Sequence, residues 1–332
     1  MLIDEGTIRL ALRRARLWND RPLRYVDYTE RAISASHECA MTRTVSMICV
    51  LLMALPLMAK SKPVSVPFTT NSDGMVIVPA TLGGTIPMHV ILDTGAGLDV
   101  IAPSLIEKVH GRPAGQFTGF RMWGERLDLA LFVVPAISVG PIVKKDALVG
   151  TWDVLDQLHL DGIVAVNDLR QQPFTLDFAN QQLVFETEKT LGKRKAHGSM
   201  SRLQMDDQRG VTLDLFSQFT FGKQTGQCEI DTGSPEATIS TRYMSELGID
   251  KDAKDVRKQE RKTIAGAAIV NYWTTVPQIA LASAPQVSLA PAPIAFSDII
   301  YDCVIGVDFW HGRAFTIDIP DRQLIVSPTN NR

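Results

Sequence analysis

Several kinds of chemistry find no foothold in these 332 residues. Only four cysteines occur and none falls in a C-x-x-C pair, so neither a disulfide-rich scaffold nor a zinc or redox motif is indicated. The six histidines are scattered and no H-E-x-x-H is present, which leaves a metalloprotease helix without its ligands. There is no G-x-S-x-G elbow and no G-x-x-x-x-G-K-[ST] loop, so serine hydrolase and nucleotide-dependent readings have no support. Charge of one sign is lacking too. Lys and Arg number 34 against 36 Asp and Glu, which gives no positive field for nucleic acid. A hydrophobic content of 45% with 21% charged residues excludes a disordered chain, and the length allows two cores.

Long apolar runs are scarce as well. The longest uncharged one, Met47–Met58, has twelve residues, and at about 1.5 Å each it falls short of a hydrocarbon core of roughly 30 Å. Arg43 precedes it; small Ala59 and polar Lys60 and Ser61 follow. That is the pattern of a secretory signal peptide. Met41 opens the unit as a start codon would, so we expect a signal at 41–59 and a dispensable, untranslated extension at 1–40. The alternative is an uncleaved anchor that tethers the protein to a membrane. The expected location is secreted or periplasmic.

The remainder repeats itself. Val90-Ile-Leu-Asp-Thr-Gly-Ala96 returns as Cys228-Glu-Ile-Asp-Thr-Gly-Ser234. Val134–Val139 returns at Val276–Leu281, Asp161–Asn167 at Asp302–Asp308, and Phe174–Phe178 at Phe315–Ile319. Four blocks in the same order mean a duplicated unit. Phe174, Leu176 and Phe178 alternate with polar residues before an Ala179-Asn180 turn, and Phe315, Ile317 and Ile319 do so before Pro320-Asp321. Period two with intervening turns predicts hairpins with one buried face. Gly83-Gly84 and Gly222-Lys223 are read as turns, and short helices are expected at Pro103–His110 and Thr241–Leu247. Residues 188–209, polar and charged, read as a solvated connection. The fold class is therefore all-β, with one lobe at 62–187, a linker at 188–209 and a second lobe at 210–329.

One Asp-Thr-Gly is weak evidence, since average residue usage places it in about one chain in ten of this length. Two at matching positions of a repeat, each after an apolar strand, are strong. If the lobes meet face to face, Asp93 and Asp231 come within hydrogen-bonding distance. Like charges that close cannot both ionise, so the pair would hold one proton. The ionised member could deprotonate water while the protonated one donates to a carbonyl, which is metal-free amide hydrolysis. Thr94 and Thr232 are the hydroxyls to lock the turns; Gly95 and Gly233 suit close backbone approach or positive φ.

These residues resemble the retropepsin-like branch of the aspartic proteases, fused in tandem into a pepsin-like single chain. Asp93-Thr-Gly-Ala96 is similar to the retroviral motif and Asp231-Thr-Gly-Ser234 to the pepsin one, which adds Ser234 to the catalytic loops. Val304-Ile-Gly306 resembles the family's hydrophobic-hydrophobic-Gly segment; Ile163-Val-Ala165 matches with alanine for glycine. The resemblance covers roughly 65–328. It implies two acid-protease barrel lobes with a cleft between them, an Asp93/Asp231 dyad, a polypeptide substrate, no cofactor or metal, and activity as a monomer. The rival is a catalytically silent peptide-binding protein using the same cleft.

No flap tyrosine is evident. Trp123 beside Gly124 is the candidate for closing over substrate, with half-buried packing as the alternative, and Gly266 marks the second-lobe counterpart. Glu229 stands where the first copy has Ile91, at a family position that faces the substrate subsites; it either favours a basic substrate side chain or turns to solvent. Cys228 and Cys303 each lie three residues before a second-lobe landmark, on strands that the family threads side by side. They are either a disulfide or two buried thiols.

Overall fold

The computed structural model describes residues 62–263 and 266–328. The expected signal peptide and extension, and Ile264 and Ala265 beside Gly266, lie outside them. Strand accounts for 52% of the described residues and helix for 12%, so the all-β class holds. Among the described residues no helix is long and apolar enough to cross a membrane.

Each half builds its own large sheet. In the first, the order is Thr69–Thr70, Val76–Leu82, Ile86–Asp93, Gly162–Ala165, Val100–Ile101, Ile142–Thr151, Arg126–Val139, Arg112–Phe120. The second runs Arg257–Lys262, Ala268–Val276, Ala292–Ser297, Thr238–Ser240, Cys303–Ile305, Gln224–Ile230, Thr212–Phe221, Ile279–Leu281, Ala284–Leu289, with Gln204–Gln208 added beside Thr212–Phe221. Gly83, Gly84 and Gly222 sit at positive φ in the turns expected of them. Pro103–Lys108 is helical with proline in its first turn. Its counterpart shrinks to a 3₁₀ turn at Thr241–Tyr243, where Thr241 and Tyr243 gain little from a helix.

A third sheet belongs to both halves. Its order is Val64–Pro67, Gln182–Phe185, Phe174–Asp177, Ala314–Asp318, Gln323–Val326, Ser199–Arg202. The two copies of the repeated Phe-Thr strand pair antiparallel at its centre, with Thr175 opposite Thr316. Their hydroxyls are 2.6 Å apart. The approximate two-fold relating the halves therefore passes between equivalent threonines. The halves form one compact unit.

Two expectations need correction here. The paired strands of the two hairpins are buried on both faces at Thr175 and Thr316, because those threonines, which face away from the apolar core, are covered by each other's strand. The 188–209 connection is solvated as expected, its helix burying no residue, but it is regular structure and not loose chain. Glu188–His197 is a helix with a Thr187/Thr190 capping box, and Ser199–Arg202 is an edge strand of the shared sheet. Arg194 donates to the buried Glu186 and to Ser327, and the Glu186 carboxylate accepts from Thr175 Oγ1. The segment's charge, read as solvation, is partly spent on covering the shared sheet. Val64–Pro67 likewise joins this sheet and not that of the first half.

Candidate functional site

The strands Ile86–Asp93 and Gln224–Ile230 deliver the two Asp-Thr-Gly turns. Each is backed by a parallel partner: Leu92 and Asp93 register with Val164 and Ala165, and Cys228, Glu229 and Ile230 with Cys303, Val304 and Ile305. The repeated aspartates that open those partners bind them to the delivering strands. Asp161 Oδ2 accepts the His89 N–H at 2.7 Å, and Asp302 Oδ2 accepts the Gln227 N–H at 2.8 Å. In the second half Cys228 and Cys303 add a disulfide, with their Cα atoms 4.4 Å apart.

Between the turns the threonines interlock. The Thr94 N–H donates to Thr232 Oγ1 at 3.1 Å, and the Thr232 N–H to Thr94 Oγ1 at 3.0 Å. Thr94 Oγ1 donates to the Ile230 carbonyl and Thr232 Oγ1 to the Leu92 carbonyl, both at 2.6 Å. Each buried hydroxyl donates once and accepts once, so nothing is left unpaired.

This grip presses the carboxyl groups together. A Cβ on Gly95 would lie 2.5 Å from Asp231 Cγ, and one on Gly233 would run into the Asp93 carboxyl. Neither glycine has positive φ; both are required for close approach alone. The Gly95 N–H donates to Asp93 Oδ1 at 2.9 Å and the Gly233 N–H to Asp231 Oδ1 at 2.8 Å. Ser234 Oγ adds a 2.6 Å hydrogen bond to Asp231 Oδ2, for which Ala96 offers Asp93 no equivalent. Burial first, then the Asp231 charge and the hydrogen bond between the two groups, hold the Asp93 carboxyl well above the usual carboxylate range.

No family model matches the chain, and no curated protein matches it. The geometry therefore carries the functional reading by itself.

Trp123 and Gly124 lie at the tip of the hairpin formed by Arg112–Phe120 and Arg126–Val139. That tip touches the second half. The Met122 carbonyl accepts the Ile300 N–H at 2.8 Å, and Trp123 Nε1 donates to Ser297 Oγ at 3.2 Å. The guanidinium carbons of Arg121 and Arg261 stand 5.4 and 5.5 Å from the Trp123 ring centre, within cation–π range. Gly266, at φ 96°, belongs to the matching tip between Arg257–Lys262 and Ala268–Val276. The tips meet through Glu125, whose carboxylate accepts from Thr263 Oγ1 and the Ala267 N–H. A cavity of about 770 Å³ lies behind Trp123, lined by Met244, Ile269, Tyr272 and Asp298 among others. Neither Asp93 nor Asp231 borders it.

Glu229 does not turn to solvent: it is 3% exposed, and its Oε1 has no hydrogen-bond partner. Burial first, then the charges of Asp231, Asp214 and Asp93, push its carboxyl well up. Ala165 is fully buried and its N–H donates to Asp99 Oδ1 at 2.7 Å. At the equivalent Gly306 a Cβ would lie 2.5 Å from the Glu236 carbonyl oxygen and 2.6 Å from that of Ser234. The substitution is thus tolerable in one half and not in the other.

Sequence reasoning missed Arg121, Glu125 and Asp214. Arg121 is close enough to both aspartates for their charges to counter the lowering that burial imposes on its guanidinium. Asp214 interrupts the apolar run Leu213–Phe216 on the strand beside Gln224–Ile230; a charged residue in such a run was the signal. Among the described residues, no group of three His, Cys, Asp or Glu is placed to hold a metal ion.

Proposed function

We propose that the chain is an aspartic endopeptidase in which Asp93 and Asp231 act as one shared dyad. The observation that carries this is the meeting of two repeated Asp-Thr-Gly turns, each carboxyl seated against the other turn's glycine and the threonines exchanging hydrogen bonds.

With the shared proton on Asp93, the Asp231 carboxylate takes a proton from a water held between the two groups. The resulting hydroxide attacks the peptide carbonyl carbon while Asp93 protonates its oxygen. The tetrahedral intermediate collapses when the proton gained by Asp231 passes to the amide nitrogen and the Asp93 proton returns, which breaks the C–N bond and restores the dyad. The threonine grip supplies positioning, since the reacting carboxyls are fixed before substrate arrives. The hairpin tips carrying Trp123 and Gly266 would close over a bound peptide and exclude water.

The test uses the full chain with a mixed peptide library from about pH 3 to about pH 7, alongside Asp93→Asn and Asp231→Asn. Expected is cleavage by the wild type that is lost in both single variants. Activity that survives either substitution overturns the shared dyad. Retention of peptides without cleavage at any pH would instead establish a peptide-binding protein.

A further inference from the structure

Glu229 and Asp231 are two residues apart at the end of one strand, so their side chains leave the same face. Phe216 lies opposite Glu229 in the neighbouring antiparallel strand, and by the same alternation Asp214 shares that face. Tyr301 closes it, with its ring centre 5.3 Å from that of Phe216 in an edge-on contact. Two carboxyl groups and two aromatic rings therefore adjoin the dyad on one side.

The corresponding face in the first half is different in kind. Ile91 occupies the place of Glu229, and Ile77 lies opposite it. The duplication has kept the paired aspartates and made their flanks unequal, one apolar and one acidic.

The acidic flank is uncompensated. Among the described residues no salt bridge includes Glu229 or Asp214, and Glu229 Oε1 is buried without any donor. Burial and the nearby Asp206 push the Asp214 carboxyl up to about 6. A buried acid without a partner costs stability that an apolar residue would not. Ile91 shows that the fold accepts such a residue at the equivalent place. The Ile300–Tyr301 stretch beside this face is tied to the first hairpin tip by the Ile300 to Met122 hydrogen bond, so a tip that opened for a peptide would carry the stretch with it.

We propose, on the strength of the peptidase reading above, that Glu229, Asp214, Phe216 and Tyr301 form a subsite for a Lys or Arg side chain immediately beside the scissile bond. The rings of Phe216 and Tyr301 take the alkyl stem, and Glu229 receives the cationic head. The Ile91 and Ile77 side takes an apolar neighbour.

The experiment compares peptides identical except for Lys, Arg, norleucine or Glu at the two positions flanking the cleaved bond. Cleavage is measured with the full chain and with Glu229→Gln, which keeps the shape of a protonated acid. Binding of the same fluorescent peptides to the full-length Asp93→Asn variant, with and without Glu229→Gln, runs in parallel. Expected is a Lys-over-norleucine ratio of roughly 10–100-fold in kcat/KM, the contribution of a charge-assisted hydrogen bond, falling to about threefold or less in Glu229→Gln. Cleavage with no basic preference, or with one that Glu229→Gln leaves intact, overturns the subsite and spares the peptidase. No cleavage, but Glu229-dependent preferential binding of the Lys peptide, upholds the subsite and overturns hydrolysis. Neither cleavage nor preferential binding overturns both.

Discussion

Thr94 and Thr232, 138 positions apart, each donate a backbone N–H to the other's hydroxyl, at 3.1 and 3.0 Å. Each hydroxyl also donates onward to the main chain of the opposite half. Replacing either by valine keeps the shape and removes one acceptor and one donor from a buried network. A buried group left unpaired costs about 1–3 kcal/mol. We expect Thr94→Val and Thr232→Val each to lower stability by that amount in denaturant unfolding. Each single variant removes a separate pair of the four bonds, so the double variant should cost about the two combined, and any departure measures coupling between the turns. Peptide hydrolysis should fall in both single variants as the carboxyls lose their fixed approach.

Much of this arrangement was legible from the order of repeated blocks. A strand-Asp-Thr-Gly that recurs in an internal repeat implies equivalent turns, and period-two patterning implies the hairpins that carry them. What could not be read was the sheet that the halves share and the cover it needs. The pairing of Thr175 with Thr316 buries a face that alternation marks as exposed, and that in turn recruits the charged helix Glu188–His197 as cover. Burial of Glu229 was hidden for a similar reason. Its exposure is decided by Phe216 and Tyr301, which are remote in sequence, and no local pattern reports them. Arg121 sits beside an anticipated tryptophan, yet its relation to the aspartates exists only once the hairpin tip folds back toward them.

Glu125 fastens one hairpin tip to the other. Its carboxylate accepts Thr263 Oγ1 at 2.9 and 3.0 Å and the Ala267 N–H at 3.1 Å, with Arg121 Nη1 at 3.5 Å. On the proposed peptidase reading, a peptide entering under the tips would break these bonds. Hydrogen bonds to a charged group contribute about 1.5–3 kcal/mol, so Glu125→Ala should raise the population of the open form roughly 10–100-fold. The reporter is the Ile300 amide, which donates to Met122 across the junction. Its hydrogen exchange should accelerate by that factor while exchange in the shared six-stranded sheet stays unchanged. An Ile300 amide that exchanges as slowly as in the wild type would remove Glu125 as the fastener.

A second carboxyl pair supports the first Asp-Thr-Gly turn. Asp99 Oδ1 accepts the Ala165 N–H, and Asp99 Oδ2 and Asp168 Oδ2 are both buried without a donor, which a proton on Asp99 would supply. Burial, then the charge of Asp168 and the hydrogen bond to it, hold the Asp99 carboxyl well above its usual range; Lys144 works against the shift. A carboxyl raised on folding contributes stability that is fully present below its unfolded value and is lost as pH rises through the folded value. Asparagine keeps an acceptor for Ala165 and brings its own donor for Asp168. Asp99→Asn should therefore be more stable than the wild type near neutral pH, with the difference shrinking as pH falls toward the unfolded carboxylate range. Urea unfolding at a series of pH values reads this directly.

The Cys228–Cys303 bond joins the strand that delivers Asp231 to the segment that leads to Gly306. It closes a loop spanning 75 residues of sequence, for which loop-closure entropy suggests about 4 kcal/mol, at the upper end of what disulfides contribute. Both cysteines are fully buried, so a reductant should leave the folded protein intact and act only once it opens. We expect the Cys228→Ala/Cys303→Ala variant to unfold at a lower denaturant concentration, by roughly 2–4 kcal/mol. The wild type should match it only when unfolded in the presence of reductant. The loss should also reach the site unevenly. Asp161 and Asp302 tie both delivering strands equally, but only the second strand has a covalent tie. Amides around Asp231 should therefore lose more exchange protection in the variant than those around Asp93, and equal losses at the two turns would show that the bond acts on the unfolded chain alone.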